Sequence, residues 1–181
     1  MGCSGCNGCR GNKPMMKLIA TDEYDRLYNF FEENGLEVPD EEPESIGTDV
    51  VKAYKLVNAG CTSLESLNKE LGEQNGGPAT EMLVGGIILA KRQGQFIIDG
   101  IAVDSAYRNG KIGGLLLDKA VHEVKQQGGD CLYLVARAPV FFAKHGFTEI
   151  DRKDAPEFFE CFECPQYQRS CYPKVMKLEI K

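Results

Sequence analysis

Ile101-Ala-Val-Asp-Ser-Ala-Tyr-Arg-Asn-Gly-Lys-Ile-Gly-Gly-Leu-Leu-Leu117 is the stretch that decides the fold of this 181-residue chain. An apolar run over residues 96–103 predicts a buried strand, and a short polar turn follows it. The helix predicted after the turn has one apolar face, formed by Ile112, Leu116, Ala120 and Val124. A strand, a glycine-rich turn and a helix together hold anions, because the first helical amides lack intrahelical acceptors and glycines let a phosphate approach.

The glycine-rich loop resembles the acetyl-coenzyme A signature of the GNAT acyltransferases. The family's R-x-x-G-x-G pattern falls on Arg108, Asn109, Gly110, Lys111, Ile112 and Gly113, with Gly114 directly after it. Lys111 stands where the family has its first glycine. Its side chain either hinders the close approach of a phosphate or adds positive charge near the pyrophosphate.

The segments after the loop extend this resemblance. Residues 131–135 predict an apolar strand, and residues 136–147 predict a short aromatic helix that ends at Gly146. The resemblance covers residues 82–150 well, and within the superfamily the aromatic helix is most similar to the amino-acid N-acetyltransferases of the N-acetylglutamate synthase type. It implies a mixed α/β fold, in which a strongly twisted, mostly antiparallel sheet of six to seven strands is flanked by about four helices.

The domain organisation follows from composition and pattern. Residues 1–14 are rich in Cys and Gly without apolar periodicity, so they predict a flexible tail. We expect residues 15–181 to form a single domain. A cysteine-rich segment, residues 157–173, is expected between its last two strands.

Charge and hydropathy limit the partners. The formal net charge is −6, so we expect no nucleic-acid partner. The chain has no apolar run of membrane-spanning length and no secretory leader pattern, which predicts a cytoplasmic protein with no membrane partner. The expected assembly is a monomer or a homodimer.

The resemblance implies an N-acetyltransferase that moves an acetyl group from acetyl-CoA to a primary amine, with a small molecule such as an amino acid as acceptor. The coenzyme would lie beside the strand that ends at Val103, where the backbone of Ile101, Ala102 and Val103 would bind and polarise the thioester. Lys144 could meet the coenzyme phosphates. Arg137 could hold an acceptor carboxylate through two parallel hydrogen bonds.

Two residues are candidates for proton transfer. Asp99 is the one carboxylate inside the apolar strand, where burial would raise its pKa toward that of a useful base; alternatively, it lies at a splayed edge or is paired with a basic side chain. The family's frequent general acid is a Tyr at the position of Phe142, which has no proton to give. Tyr133 or solvent could replace it.

The C-terminal cysteines allow several interpretations. Cys161, Cys164 and Cys171 offer three thiolates of the kind that zinc prefers, and a tail cysteine could add a fourth ligand. The C-x-x-C-x-x-C pattern of the tail could instead hold an iron–sulfur cluster. A redox-active dithiol at Cys161 and Cys164, or reduced thiols without any ligand, are the remaining alternatives.

Two other functions stay open at this stage. A noncatalytic acyl-CoA-binding sensor, in which the cysteines report metal or redox state, would explain the missing Tyr and the altered loop glycine. A protein or peptide amine acetyltransferase is favoured by the acidic segment 32–49, which has eight Asp or Glu residues and no Lys or Arg.

Overall fold

The computed structural model describes residues 15–36, 47–59, 81–158, 161–162 and 164–181. The predicted tail, the tail cysteines and most of the acidic segment lie outside these residues. The elements in chain order are β1 (Met16–Thr21), α1 (Tyr24–Glu33), β2 (Thr48–Asn58), β3 (Met82–Arg92), β4 (Gln95–Val103), a 3₁₀ turn (Ser105–Gly110), α2 (Ile112–Gln126), β5 (Cys131–Ala136), α3 (Pro139–Ala143), β6 (Thr148–Glu149), a second 3₁₀ turn (Arg152–Asp154) and β7 (Lys174–Glu179).

The seven strands form one sheet in the order β1-β2-β3-β4-β5-β7-β6. Every neighbouring pair is antiparallel except β4 and β5, which are parallel. The predicted mixed α/β fold with a mostly antiparallel sheet is therefore confirmed. The described residues contain three α-helices, where about four were predicted. No helix in these ranges is long and apolar enough to cross a bilayer.

Helix α1 packs very closely on one face of the sheet. Its buried side chains Leu27 and Phe31 press on two glycines, Gly86 of β3 and Gly100 of β4. A Cβ atom on Gly86 would lie 2.5 Å from Leu27 Cδ2, and one on Gly100 would lie 2.4 Å from Phe31 Cε2. These glycines thus let the helix approach the backbone more closely than any side chain would permit.

Helices α2 and α3 cover the opposite face. The apolar face predicted for α2 is buried there, and the core also takes in aromatic side chains from α3 and the segment after it. This core joins Ile112, Leu116, Ala120 and Val124 to Ile87, Leu89, Ile98, Leu132, Leu134, Phe142 and Phe147.

Strands β4 and β5 separate soon after they meet. Their pairing consists of Phe96 with Leu132 and Ile97 with Tyr133, whereas β5 pairs with β7 along its whole length. The register between β3 and β4 shifts at the same point, because Ile98 and Gly100 face consecutive residues of β3 and leave Asp99 as an extra residue. Such a bulge bends a strand and strengthens its twist. The bend coincides with a cleft between residues 98–103 and the end of β5.

Candidate active site

A cavity of about 1430 Å³ occupies the cleft between β4 and β5. Residues 98–103 of β4 run along it, and the C-terminal part of α1 lies on one side. The first turn of α2 and the short helix α3 lie on another side. Residues from the end of β5 and from the cysteine-rich segment complete the wall, so widely separated parts of the sequence meet at this cavity.

The first turn of α2 opens into this cavity without a side-chain cap. Lys111 is the N-cap residue, has left-handed backbone angles (φ 59°, ψ 13°) and makes no capping hydrogen bond. Gly113 and Gly114 line the cavity directly after it. Arg108 also lines it, and its Nε donates a 3.1 Å hydrogen bond to the carbonyl oxygen of Val103. Exposed helical amides beside two basic side chains are suited to a phosphate or pyrophosphate.

Helix α3 and the residues just after it pack against the first turn of α2, at the two glycines that have no side chain to obstruct the contact. A Cβ atom on Gly113 would lie 2.9 Å from Phe141 Cζ, and one on Gly114 would lie 3.0 Å from Nε2 of His145. Nδ1 of His145 lies 2.9 Å from the carbonyl oxygen of Phe141 and must donate to it, since a carbonyl only accepts. Sequence reasoning did not place His145 on the cavity, which it lines.

Not every predicted coenzyme contact lies on the cavity. Ile101, Ala102 and Val103 line it together with Arg108, Lys111, Gly113 and Gly114. The side chain of Ile112 is buried in the core against Gly85, so this residue can offer only its backbone. Lys144 is exposed and is not among the cavity-lining residues, and Asn109 and Gly110 belong to the 3₁₀ turn before α2.

Asp99 lies at the β4 bulge and lines the cavity, with 13% of its side chain exposed. Its Oδ2 accepts a 3.0 Å hydrogen bond from the Tyr28 hydroxyl, and its Oδ1 lies 3.5 Å from Nη2 of Arg92. Asp99 is therefore largely buried, as expected of a candidate base, and it is also paired with a basic side chain, as the alternative interpretation expected.

Arg92 is almost completely buried, with only 1% of its side chain exposed. It donates hydrogen bonds of 3.0 and 2.7 Å to Thr48 Oγ1 and one of 3.2 Å to the carbonyl oxygen of Glu157. The guanidinium thus connects β2, β3, the bulge in β4 and the start of the cysteine-rich segment. The sequence carried no signal for this connection beyond a basic residue at the end of a predicted strand.

The structure does not bring Tyr133 to the cavity. The residue is buried in a cluster with Ile97, Phe158 and Val175, and it is not among the cavity-lining residues. Burial raises the pKa of its hydroxyl above the usual value, and a nearby Cys131 acts in the same direction. Its predicted role as the general acid therefore has no geometric support. Phe142 does line the cavity.

Arg137 follows β5 and lines the cavity on the side of α1. A Cβ atom on Gly35, just past the end of α1, would lie 3.9 Å from Nη1 of Arg137. The partial negative charge at a helix C-terminus favours a cation at this place. Arg137 and Asp99 therefore line the same cavity. Both residues come after the last paired residues of β4 and β5, Ile97 and Tyr133.

Cys161, Cys164 and Cys171 also line the cavity, which the sequence did not indicate. The described residues contain no group of three or more His, Cys, Asp or Glu side chains arranged to hold a metal ion, so the zinc interpretation has no support among them. The tail cysteines proposed as further ligands lie outside the described residues.

Comparisons with known proteins show what part of this chain is similar to. Residues 71–149 match the family model for the acetyltransferase (GNAT) domain. A comparison with curated protein sequences found no match.

Solved structures with the same fold share little sequence with this chain. A GNAT-family acetyltransferase from Staphylococcus aureus Mu50 has 19% identity and a TM-score of 0.59, covering 92% of this chain and 100% of the other. The ribosomal-protein-S18-alanine N-acetyltransferase from Escherichia coli has 17% identity and a TM-score of 0.53, covering 92% and 95%.

A third structure is N-acetylglutamate synthase from Neisseria gonorrhoeae, complexed with coenzyme A and N-acetyl-glutamate. It has 15% identity and a TM-score of 0.60, and the match covers 94% of this chain but 36% of the synthase chain. At these identities the likeness shows the fold alone. Residues 71–149 thus resemble the GNAT acetyltransferase domain in sequence, and the described residues have the fold of these structures.

Proposed function

We propose that the protein transfers the acetyl group of acetyl-CoA to the amino group of a small molecule, and that this acceptor is an amino acid. One observation carries the proposal. A single cavity is lined both by the uncapped first turn of α2, which suits a pyrophosphate, and by Asp99 and Arg137, which suit the two charges of an amino acid.

In this proposal, main-chain amides and basic side chains at the start of α2 bind the phosphates of the coenzyme. The amides of the first turn of α2 would donate to the pyrophosphate, with Arg108 and Lys111 supplying compensating charge. Beyond Ile97, β4 does not pair with β5, so those backbone groups of residues 101–103 that bond neither to β3 nor to Arg108 would orient a bound thioester. Acetyl-CoA supplies the activated acetyl group at that position.

Asp99 holds and deprotonates the acceptor amine in this scheme. An alkylamine has a pKa near that of lysine, about 10.4, and is therefore mostly protonated and non-nucleophilic at neutral pH. The carboxylate of Asp99, balanced by Arg92 and oriented by Tyr28, binds the ammonium and takes its proton directly or through water. Arg137 would hold the acceptor carboxylate through its planar guanidinium.

The leaving group needs little help from the protein. A thiol has a pKa of about 8.5, so a thiolate departs far more readily than an amide nitrogen would. The first proton removed from the amine passes from Asp99 to solvent. The nitrogen loses a second proton as the amide forms, and this proton reaches the departing thiolate through water. A phenylalanine at position 142 is compatible with this sequence of steps.

The aromatic helix and the fold shared with N-acetylglutamate synthase support an α-amino acid acceptor of that branch. The fold shared with the ribosomal-protein alanine acetyltransferase makes a peptide N-terminus the alternative. An α-amino group beside a free carboxylate fits Asp99 and Arg137 together. A peptide N-terminus has no carboxylate next to its amino group and would leave Arg137 without that role.

A panel of free amino acids, simple amines and a peptide tests the proposal, with acetyl-CoA as donor and thiol release as the readout. We expect turnover of free amino acids and much slower turnover of the corresponding amino acid amides. Coenzyme binding without turnover of any amine would contradict the proposal and favour a sensor. Turnover of the peptide alone would contradict the choice of acceptor. Gly113→Leu, which fills the coenzyme loop, is the negative control.

A further inference from the structure

The cysteine-rich segment places thiols close to the candidate acceptor site. The amide of Cys161 donates a 3.2 Å hydrogen bond to the carbonyl oxygen of Phe158. The ring centre of Phe158 lies 5.9 Å from the guanidinium carbon of Arg92, which pairs with Asp99. Cys161 is therefore connected to Asp99 through two intervening side chains, and both line one cavity.

Main-chain hydrogen bonds fix the other two thiols on the same wall. The amide of Tyr167 donates to the carbonyl oxygen of Cys164 (3.0 Å), and the amide of Cys171 donates to that of Gln166 (3.0 Å). Gln168 returns a 2.8 Å hydrogen bond to the carbonyl oxygen of Cys171. These contacts form a compact turn, and Cys164 and Cys171 in it line the cavity.

Aromatic contacts hold this turn in place. The rings of Phe162 and Tyr167 meet edge to face with their centres 5.3 Å apart, and the guanidinium carbon of Arg152 lies 3.5 Å from the Phe162 ring centre. The turn is thus anchored to the body of the domain. A group attached to its sulfur atoms would accordingly occupy space in the cavity.

We propose that Cys161, Cys164 and Cys171 form a thiol modification site for low-molecular-weight disulfides, and that an adduct there closes the acceptor end of the cavity. The site goes beyond the proposed acetyl transfer, and only its effect on turnover rests on that function. The C-x-x-C spacing of Cys161 and Cys164 is one in which thiols exchange readily.

The chemistry is a thiol–disulfide exchange. A protein thiolate attacks one sulfur of the disulfide; a new S–S bond forms to the protein, the old S–S bond breaks, and the departing thiolate takes a proton from solvent. The protein sulfur is oxidised and the departing sulfur is reduced, so the disulfide is the only oxidant needed. At Cys161 or Cys164, attack by the neighbouring thiolate could then release the small thiol and leave a protein disulfide.

The test uses the full chain, reduced and then freed of reductant. One arm is treated with glutathione disulfide and a second with coenzyme A disulfide, which distinguishes a general thiol pool from a disulfide that also suits the coenzyme loop. Mass spectrometry of peptides maps the adducts. We expect modification at the three cysteines and a loss of acceptor kcat/KM of about tenfold or more in both arms. In the glutathione arm, we expect an acetyl-CoA Kd within about twofold of the reduced protein. Dithiothreitol should restore turnover.

Serine variants make the result specific. In the triple variant Cys161→Ser, Cys164→Ser, Cys171→Ser, the disulfides should no longer change turnover, whereas Cys131→Ser, a half-buried β5 thiol that does not line the cavity, should respond like the unmodified sequence. Each single variant is measured as well, so that a folding defect in the triple variant does not decide the outcome.

Three results would overturn the proposal: no adduct at any of the three cysteines, adducts with unchanged turnover, or an equal loss of turnover in the serine variants. A glutathione adduct that abolishes coenzyme binding would also overturn it, because the wall would then not belong to the acceptor end. Adduct mapping needs no acceptor, so a failure of the proposed acetyl transfer is seen separately.

Discussion

The hydroxyl of Tyr28 donates a 3.0 Å hydrogen bond to Oδ2 of Asp99, joining residues 71 positions apart in the sequence. The contact depends on how closely α1 lies on β4, because Phe31 of the same helix fills the space above Gly100. The orientation of the candidate base is therefore set by the packing of α1 as well as by the bulge in its own strand.

Asp99→Asn should lower kcat/KM for the acceptor by about 10²- to 10⁴-fold, because the amide cannot take a proton from the amine. The acetyl-CoA Kd should stay nearly constant, since the coenzyme loop lies elsewhere on the cavity. Initial rates across pH and a coenzyme binding titration measure both quantities. Tyr28→Phe keeps the ring and removes the hydrogen bond, so we expect a smaller loss of about tenfold. Full activity in Asp99→Asn would eliminate this residue as the base.

Lys111→Gly should stabilise the protein by about 0.5–1 kcal/mol, because a non-glycine residue in the left-handed region carries a strain that exceeds the entropic cost of glycine. The same change should weaken coenzyme binding if the ammonium contacts the pyrophosphate. Lys111→Ala separates the two effects, since it removes the charge and keeps the strain. Urea unfolding and coenzyme titration are the measurements; equal stability of the Gly and Ala variants would contradict the strain argument.

Phe142→Tyr should change kcat by less than about threefold, because departure of a thiolate does not depend on a protein acid. Phe142 packs edge to face with Phe141 and Phe147 and also lines the cavity. We therefore expect the added hydroxyl to be tolerated at the cavity wall. A solvent-isotope comparison of both proteins accompanies the rate measurement. A large increase in kcat would show that leaving-group protonation limits the reaction.

Gly100→Ala should destabilise the domain by about 1–3 kcal/mol, because its Cβ would fall 2.4 Å from the Phe31 ring and force α1 away from β4. We also expect a lower kcat, since the Tyr28–Asp99 hydrogen bond depends on the same contact. Gly47→Ala is the matched control, as a Cβ there meets nothing within 4 Å. Similar unfolding midpoints for both variants would contradict the packing argument.

Glu23 gives the domain a pH-dependent interaction outside the active site. Hydrogen bonds from Lys55 and then Arg26 lower the pKa of its carboxyl from 4.5 to about 2. A lowered pKa in the folded state means that the interaction is complete above pH 4.5 and is lost as the pH falls toward 2. Glu23→Gln should thus reduce the free energy of unfolding at pH 7, with the difference shrinking below pH 4.5 and vanishing only below pH 2. In a Lys55→Met background this difference should shrink at every pH; an undiminished effect would rule out the pairing.

The sequence was most informative where function depends on local structure. The strand, turn and helix around residues 101–117 form as predicted, because their apolar periodicity, glycines and helix start act over a few neighbouring positions.

Contacts between distant segments were not predictable in this way. The sequence patterns did not indicate that Arg92 or Tyr28 would contact Asp99. Arg92 in particular is buried only because four separate segments of the chain surround it. The orientation of Tyr133 was missed for a similar reason: alternate residues of a strand project to opposite faces, and the direction of β5 relative to the cleft was unknown. The cysteines were read as metal ligands from their spacing, whereas their position on a cavity wall depends on the tertiary fold.

In the proposed scheme, the separation of β4 and β5 assigns the two halves of the reaction to different stretches of chain. Residues 108–118 and α3 would serve the donor, whereas α1 and the segment before β7 would serve the acceptor. Substitutions in that latter segment would then redirect the protein to new amines while its donor chemistry is preserved, which makes the cysteine-rich turn a natural target for engineering acceptor choice.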